Sequence, residues 1–400
     1  MPQQKFIPKD QIGVGGFKIG EIEKRYLSQV IESSRLSYGP LTQEFEARFA
    51  ALHDCRYAIF CNSGTSALHV ALAVLKERGG WADGDEVLVP AVTFIATSNI
   101  VLHNGLKPVF VEVEPDTFNI DPSRIEERIT ERTRAILPVH LFGQPASFDG
   151  IHKAASEHNL VVFEDSAETM FARYQGKSVG ALGEIGCFST YVAHILVTGV
   201  GGFCTTNDDE LAVMLKSCMN HGRDSIYLSI DDDRGKSGDQ LKMVVDRRFR
   251  FVRLGHSFRC TELEAAIGLG QLEQAEAFLS RRREIARRYA DGLADLKEHL
   301  QLPFPRPDRT HSYMMYPIVL HHEEKWNLVH FLEERNIETR EMMPLLTQPV
   351  YIDLFGNIED QYPVARWINR NGFYIGSHPY LTDEEVDYVI DQFHAYFARK

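Results

Sequence analysis

Short apolar runs alternate with helix-length segments between Tyr57 and Asn207, and this alternation constrains the fold more than any other feature of the sequence. The runs lie at 57–60, 86–90, 108–113, 135–139 and 160–163. Continuous apolar runs are typical of strands buried on both faces, and helices between such strands favour a parallel arrangement. The sequence therefore predicts an α/β fold with a mainly parallel sheet, and ligands bind such sheets at the carboxyl ends of the strands.

The length of the chain indicates two domains, because 400 residues exceed what one hydrophobic core usually supports. A long helical pattern from Thr261 to about Asp291 is the expected connector. We therefore predict a large domain over residues 1–285, with an N-terminal arm over about 1–45. Residues 286–400 are expected to form a smaller α+β domain.

The composition excludes several classes of partner. Hydrophobic residues make up 44% of the chain and charged residues 25%, as in ordinary globular proteins. A net charge of -13 argues against nucleic acid or an anionic membrane as a partner. No apolar run reaches the roughly 18 residues of a membrane span, and the first residues do not resemble a secretion signal. We expect a cytoplasmic protein.

The cysteines argue against a metal site. The six cysteines are scattered, and none forms C-x-x-C or a Cys/His cluster. Zinc and iron–sulfur sites need such clusters, so no metal site is predicted. Single dispersed cysteines also fit a reducing compartment.

A helix start after the first apolar run is a candidate anion site. The segment 62–69 reads Asn-Ser-Gly-Thr-Ser-Ala-Leu-His, with Gly64, Thr65 and Ser66 where the helix begins. Free backbone N–H groups and the helix dipole favour an anion such as phosphate there. A simple helix cap without a ligand is the alternative interpretation.

Two further runs are followed by residues that could take part in binding or catalysis. Asp165 lies two residues after the run 160–163, and Glu168 lies three residues further on. A carboxylate at a strand end is often only a cap or turn residue. Phe94 follows the run 86–90, and an aromatic residue in that place is usually part of the core. The residues alone leave both interpretations open.

Together with the segments 187–202 and 255–268, these motifs resemble the DegT/DnrJ/EryC1/StrS sugar aminotransferases. The similarity extends over nearly the whole chain. It implies an α/β fold of the PLP-dependent transferase fold type I, like that of aspartate aminotransferase. It also implies pyridoxal 5'-phosphate (PLP) or pyridoxamine 5'-phosphate (PMP) as the cofactor, bound between the subunits of a homodimer with shared active sites.

The resemblance assigns cofactor contacts to individual residues. Residues 64–66 and Ser189 are expected at the cofactor phosphate, and Phe94 on the face of the pyridine ring. Asp165 is expected to keep the ring nitrogen protonated, so that the ring can accept electrons. Glu168 stands where the family usually has glutamine, beside the cofactor hydroxyl.

His194 is the main departure from the family pattern, which reads F-S-x-x-x-x-K-x-x-x-T-G-E-G-G. The lysine of that pattern binds PLP covalently, and an imidazole cannot form a stable imine. The resemblance therefore implies a non-covalent cofactor, as in the PMP-dependent GDP-4-keto-6-deoxymannose 3-dehydratases. Val200 replaces the glutamate of the pattern, and His194 is followed by Ile195, whereas those dehydratases usually have a second histidine there.

Further matching segments supply candidate substrate contacts and a subunit contact. Ser257 occupies the place of an asparagine that crosses to the partner subunit's phosphate in relatives. The candidate substrate-binding residues lie in matching segments or in the strand-like run near 313–319, and they are His221, Arg259, Tyr313, Arg340 and His378.

The resemblance leaves three functions open. The first is a PLP/PMP-dependent enzyme that removes the C3 hydroxyl of a nucleotide-linked 4-keto-6-deoxy sugar for cell-surface polysaccharide or deoxysugar synthesis. His194 would be its base, because an imidazole with a pKa near 6.5 can move protons at neutral pH, and Asp165 would sustain the charge of the ring. The second is an aminotransferase-like enzyme that uses an amino donor such as glutamate. The third is a catalytically silent protein that binds PLP or a nucleotide sugar.

Overall fold

The computed structural model describes residues 6–225, 228 and 232–399. Its helices, numbered in chain order, are α1 (Glu21–Ser33), α2 (Pro40–Leu52), α3 (Gly64–Gly79), α4 (Ile95–His103), α5 (Phe148–His158), α6 (Asp209–Met219), α7 (Gly238–Arg247), α8 (Glu262–Glu273), α9 (Ala275–Gly292), α10 (Trp326–Glu333), α11 (Pro349–Phe355), α12 (Pro363–Asn371) and α13 (Asp383–Phe397).

The strands lie between these helices in the first half of the chain and in the C-terminal part. They are β1 (Tyr57–Cys61), β2 (Glu86–Pro90), β3 (Lys107–Val111), β4 (Thr133–Ile136), β5 (Val161–Val162), β6 (Glu164–Asp165), β7 (Arg173–Tyr174), β8 (Lys177–Ser178), β9 (Gly186–Ser189), β10 (Gly202–Thr206), β11 (Leu300–Gln301), β12 (Met315–Leu320), β13 (Arg340–Glu341) and β14 (Gly372–Gly376).

The parallel sheet follows the order β3–β2–β4–β5, and each of its pairings is parallel. Every residue of β2 is buried, as its continuous apolar sequence predicts. A second sheet follows the order β1–β10–β9–β6, in which β6 pairs parallel to β9 and the other pairings are antiparallel. The predicted α/β fold with a parallel sheet is therefore confirmed.

One stretch of chain, 161–165, joins the two sheets. The Phe163 N–H donates to the Ile136 carbonyl at 3.2 Å, and the next N–H, of Glu164, donates to Ile185 at 2.8 Å. The stretch therefore leaves the edge of β4 and continues alongside β9. This change of partner places Asp165 where the two sheets meet. Asp165 pairs with Cys187 on β9 and also forms a parallel bridge with Val139.

An aromatic core supports the β9–β10 hairpin. The rings of Phe49 and Phe203 are stacked 3.9 Å apart at an interplanar angle of 7°. Phe45 meets the ring of Phe203 edge to face at 4.9 Å. Helix α8 comes close to Phe45 only because Gly268 lacks a side chain, since a Cβ there would lie 2.2 Å from that ring.

Helix α2 is anchored to α8 through a buried carboxylate. Pro40 opens α2, where its missing N–H costs nothing. Glu262 of α8 then accepts hydrogen bonds from the N–H groups of Gly39, Leu41 and Thr42, at 2.9, 3.0 and 3.0 Å. The negative charge lies at the positive end of the helix dipole, which stabilises both the helix start and the packing of the two helices.

The C-terminal part contains an antiparallel sheet of the order β11–β12–β14–β13. It shares a second hydrophobic core with α9, α10 and α13. Ile12, from the N-terminal segment, belongs to this second core and forms a parallel bridge with Ile337. Tyr351 and Tyr362 instead pack in the core of the large sheets. A boundary at 285 remains a prediction, because both cores recruit residues from across it.

In residues 6–225, 228 and 232–399, no helix combines the length and the apolar character that crossing a bilayer requires.

Candidate active site

The start of α3 lies directly on the end of β9. A Cβ on residue 64 would lie 2.6 Å from the Cβ of Ser189, so only glycine permits this approach. The hydroxyl oxygen of Ser63 caps the helix by accepting from the Ser66 N–H at 3.0 Å. The N–H groups of Gly64 and Thr65 belong to the first helical turn, which has no acceptors of its own. Gly64, Thr65 and Ser189 therefore lie together and form a candidate anion site.

Ser66 is buried and belongs to the cap of this helix. Its hydroxyl oxygen accepts from the Ser63 hydroxyl at 3.0 Å. The cap engages its N–H and its hydroxyl oxygen as an acceptor, whereas Thr65 is exposed. The Ser66 hydroxyl can still donate to an anion, so its predicted contact with the phosphate stays a prediction.

Asp165 is held at the carboxyl end of β6 by two hydrogen bonds. One carboxylate oxygen accepts from the Thr97 hydroxyl at 2.7 Å, and the other from the Ala167 N–H at 3.1 Å. Burial raises the pKa of Asp165, and these hydrogen bonds oppose that effect. Asp165 pairs with Cys187 on β9, two residues before Ser189. The sheet thus places a carboxylate near the anion site.

Phe94 precedes the first turn of α4, and 59% of its side chain is exposed. The carbonyl of Phe94 accepts from the Thr97 N–H at 3.1 Å, so the ring stands one helical turn from the hydroxyl that binds Asp165. A core aromatic would be buried. The open ring face is available to a planar ligand.

Glu168 is a second buried carboxylate close to Asp165. One of its oxygens accepts from the Phe142 N–H at 2.9 Å. Burial, together with the negative charge of Asp165, raises the pKa of Glu168 to about 7. Its protonation therefore changes near neutral pH, whereas glutamine in the same place would carry no charge.

His194 lies in the loop between β9 and β10. Its N–H donates to the Tyr191 carbonyl at 2.9 Å, and its Nδ1 atom is buried without a hydrogen-bond partner. Burial lowers the pKa of His194 to about 4, and the positive charge of Arg282 adds to this effect. The imidazole is therefore neutral at pH 7 and has an unsatisfied ring nitrogen.

The residues at these strand ends fit a phosphorylated pyridine cofactor. They offer N–H donors at a helix start, an exposed aromatic face and a buried carboxylate. The hydroxyl of Ser166, next to Asp165, is also buried without a partner, as is Nδ1 of His194. Unsatisfied buried polar atoms are rare and mark places where a ligand can bind. Within the described residues, no group of three or more His, Cys, Asp or Glu side chains could hold a metal ion.

His221, Ser257 and Arg259 form a separate group. One terminal nitrogen of Arg259 is 3.2 Å from the Ser257 hydroxyl and 3.3 Å from Nε2 of His221. Ser257 and Arg259 line a cavity of about 760 Å³ together with Tyr38 and Lys216. No recorded hydrogen bond or ion pair joins this group to Asp165 or Ser189 in the described part of the chain.

The other candidate substrate residues lie in the C-terminal part. Tyr313 stacks on His311 with ring centroids 3.8 Å apart. His378 packs so close to the N-terminal segment that a Cβ on Gly16 would lie 2.7 Å from its Nδ1 atom. Arg340 is exposed and pairs with Glu338. Arg282 contacts the backbone carbonyls of Tyr313 and His194, and also that of Ser377, which precedes His378. Arg340 lies on β13.

Two contributors are absent from the sequence-based predictions. Thr97 donates a hydrogen bond to Asp165, and its place three residues after Phe94 gives only a weak signal in the sequence. Arg282 contacts the backbone of His194, yet it lies in a helix whose arginines resemble a solvated face. The burial of Arg282 has no local signature, because it depends on the packing of distant strands.

The chain is similar to one protein family and to individual sugar-modifying enzymes over nearly its whole length. The model of the DegT/DnrJ/EryC1/StrS aminotransferase family matches residues 18–394. GDP-perosamine synthase of Caulobacter vibrioides is 34% identical over 385 residues, covering 95% of this chain and 96% of the relative. The dTDP-4-dehydro-2,6-dideoxy-D-glucose 3-dehydratase of Saccharopolyspora spinosa is 33% identical over 398 residues, covering 96% of this chain and 86% of the relative.

A solved structure extends the similarity to three dimensions. It is that of E. coli GDP-4-keto-6-deoxy-D-mannose-3-dehydratase with bound hydrated PLP. The TM-score is 0.87 at 26% identity, covering 96% of this chain and 99% of that one. The similar proteins thus include enzymes named for dehydration and for amine synthesis.

Proposed function

The chain belongs to the DegT/DnrJ/EryC1/StrS aminotransferase family of sugar-modifying PLP enzymes, and from that premise we propose that it is a C3 dehydratase. Its substrate would be a nucleotide-linked 4-keto-6-deoxy sugar destined for cell-surface polysaccharide or another deoxysugar. The family, the fold type and the PLP or PMP cofactor agree with the sequence-based predictions. The substrate and the reaction are the proposal.

Five residues would hold the cofactor. Gly64, Thr65 and Ser189 would receive its phosphate, because their N–H and hydroxyl groups converge at the start of α3. Phe94 would cover one face of the pyridine ring with its exposed side chain. Asp165 would place a negative charge at the ring nitrogen, in a buried site where a charge acts strongly.

The observation that carries the proposal is the neutral imidazole of His194 in the place of a lysine. PMP supplies an amine that can condense with a sugar ketone, and a protonated ring that accepts electrons. His194 would accept a proton at cofactor C4' through a ring nitrogen that has no partner in the protein. The protonated imidazole could then donate to the C3 hydroxyl as it departs as water.

Glu168 would adjust the proton balance beside the cofactor. Its raised pKa of about 7 allows it to donate a hydrogen bond when protonated and to accept one when ionised. A glutamine could do both at once but could not change its charge. This difference supports proton-transfer chemistry at neutral pH.

An aminotransferase-like reaction is the second candidate, and the similarity to GDP-perosamine synthase favours it. An amino donor such as glutamate would then supply nitrogen, and His194 would carry protons without loss of the C3 hydroxyl. A silent PLP- or sugar-binding protein is the third. These functions differ in product. Dehydration would release the C3 oxygen as water and, with two electrons from the PMP amine, which leaves as ammonia, give a 3-deoxy ketone lighter than the substrate by one oxygen atom; an amino donor such as glutamate would restore PMP. Transamination exchanges a ketone for an amine, and silent binding leaves the sugar unchanged.

The decisive experiment combines product analysis with one substitution. The purified protein is incubated with PMP and a panel of nucleotide-linked 4-keto-6-deoxyhexoses, and the products are read by mass spectrometry. We expect a product lighter than the substrate by one oxygen atom, together with release of ammonia, and we expect His194→Asn to bind PMP while exchange of the C4' proton with deuterated solvent falls by roughly 10²–10⁴-fold. Amine formation, or unchanged exchange in a folded His194→Asn protein, would contradict the proposal.

The group formed by His221, Ser257 and Arg259 is proposed to complete the active site of a second copy of the chain. These side chains lie beside the 760 Å³ cavity and make no recorded contact with the cofactor residues of their own chain. A homodimer with shared sites would supply them from the partner. Light scattering should give about twice the 45.5 kDa chain mass. An active monomer would contradict this arrangement.

A further inference from the structure

Arg282, on α9, is a buried cation without an anionic partner. Only 2% of the residue is exposed, and none of the carboxylates in the described residues forms an ion pair with it. A buried charge is costly unless other groups compensate it. Here backbone carbonyls accept hydrogen bonds from the two terminal nitrogens, whereas Nε is buried without a hydrogen-bond partner.

The guanidinium joins three separate segments of the chain. One terminal nitrogen lies 2.8 Å from the carbonyl oxygen of Met314 and 3.2 Å from those of Tyr313 and Ser377. The other lies 3.4 Å from the carbonyl oxygen of His194. The start of β12, the segment after β14 and the His194 loop thus meet on one side chain.

We propose that Arg282 is the positioning residue of the proposed base: its hydrogen bonds fix the His194 loop to the C-terminal sheet, and its guanidinium places a buried positive charge beside that loop. The effect on catalysis depends on the proposed function of His194. The positioning and the electrostatic effect do not depend on it, because both are properties of the cofactor-free chain.

Two imidazoles lie within the electrostatic influence of Arg282. The pKa values of His194 and His378 are both lowered to about 4, first by burial and then in part by the charge of Arg282. Nδ1 of each ring is buried without a hydrogen-bond partner. A positive charge next to an imidazole disfavours the imidazolium, so both rings are held as acceptors.

The other charged or titratable groups around these two rings influence their pKa values less than Arg282 does. Tyr191 is on the His194 loop, with ring centroids 6.2 Å apart. Lys18, from the N-terminal segment, also lowers the pKa of His378, and Tyr380 lies 6.3 Å from that ring. Lys18 is exposed and is therefore screened by solvent, whereas Arg282 is fully buried.

Two substitutions separate the charge of Arg282 from its geometry. Arg282→Met removes the charge and keeps an apolar stem, whereas Arg282→Lys keeps the charge but offers a single nitrogen instead of a planar fork. One ammonium group is too compact to join all three segments. Arg287→Met is the matched control, because it removes an exposed arginine from the same helix, where Arg287 pairs only with Asp291.

The first measurement is an NMR titration of the imidazole resonances in the cofactor-free protein between pH 8 and pH 5. His194→Asn and His378→Asn assign the resonances. In the unsubstituted protein and in Arg287→Met, both rings should stay mainly neutral through this range. In Arg282→Met, both rings should protonate at a higher pH than in these two proteins, because a nearby positive charge has been removed. Unchanged titration in a folded Arg282→Met protein would overturn the proposal.

The second measurement is amide hydrogen exchange over residues 190–200. Arg282→Lys should leave the titration of both rings nearly unchanged but speed exchange in this loop, because the loop loses its link to the C-terminal sheet. Unchanged exchange in Arg282→Lys would overturn the positioning role, and this variant remains informative if Arg282→Met does not fold. Failure of the proposed dehydratase would alter neither readout, so the two proposals fail separately.

Discussion

The exposed ring of Phe94 gives the sharpest quantitative prediction for the cofactor site. A phenylalanine side chain offers roughly 150–250 Å² of surface, and 59% of Phe94 is exposed, which leaves about 120 Å² of ring surface open. A planar cofactor on one face would cover about half of this area. At about 25 cal/mol per Å², burial would contribute about 1.5 kcal/mol.

Stacking adds to this burial energy. An offset aromatic pair contributes roughly 0.5–1.5 kcal/mol beyond the buried area. The sum, about 2–3 kcal/mol, corresponds to a roughly 30- to 150-fold increase in Kd when the ring is removed. We therefore expect Phe94→Ala to weaken PMP binding by this factor, measured by absorbance or fluorescence titration.

The control for Phe94→Ala is Phe304→Ala. Phe304 is exposed to a similar extent, 66%, and lies in the C-terminal part, away from the proposed cofactor residues. Both variants should lose only about 1–2 kcal/mol of unfolding free energy, less than the roughly 3–5 kcal/mol of a fully buried phenylalanine. A Kd for Phe94→Ala within about threefold of the unsubstituted protein, or an equal increase in the Kd for PMP in both variants, would refute the reasoning.

Three further predictions concern the buried titratable residues Asp165, His194 and His53. Asp165→Asn should keep the fold and lose only a little affinity for the cofactor. It should lose most of its turnover, because the ring nitrogen is no longer held protonated. Unchanged turnover would show that Asp165 is only a structural cap. Borohydride should fix no PLP to the protein, whereas His194→Lys should give a covalent pyridoxyl adduct by mass spectrometry, and an adduct on the unsubstituted chain would contradict non-covalent binding. His53, whose pKa burial lowers to about 4, binds a proton more readily when unfolded. Stability should therefore fall from pH 6.5 towards pH 4, by about 2 kcal/mol at pH 5, and urea unfolding of His53→Gln should show a correspondingly shallower decline between pH 7.5 and pH 5.

The interpretation of His53 follows from its hydrogen bonds. Nδ1 lies 3.0 Å from the Phe49 carbonyl, and Nε2 accepts from the Phe171 N–H at 3.3 Å. Only the neutral ring, with its proton on Nδ1, satisfies both contacts. A second proton would lose the Phe171 hydrogen bond inside the core. Equal pH dependence in His53→Gln would show that other groups cause the acid sensitivity.

The sequence alone determined the elements whose signals are local. The apolar run 86–90 predicts a buried strand because its neighbours in sequence are also apolar, and β2 occupies this range. Gly64 and its small neighbours indicate a helix start for the same reason. His194 is evident as a departure because the surrounding motif is contiguous. The expected location of Asp165 at a strand end also follows from a short stretch.

The tertiary structure decided which distant residues meet at these elements. Thr97 reaches Asp165 only because α4 and β6 close on the same sheet edge, 68 positions apart in the chain. Arg282 resembles a solvated helix residue in the sequence, yet the strands β12 and β14 bury it beside His194. Ile12 joins the C-terminal core although it lies in the predicted N-terminal arm. Local sequence fixes the backbone preferences of each segment, whereas the environment of a side chain depends on contacts between segments that become neighbours only when the whole chain folds.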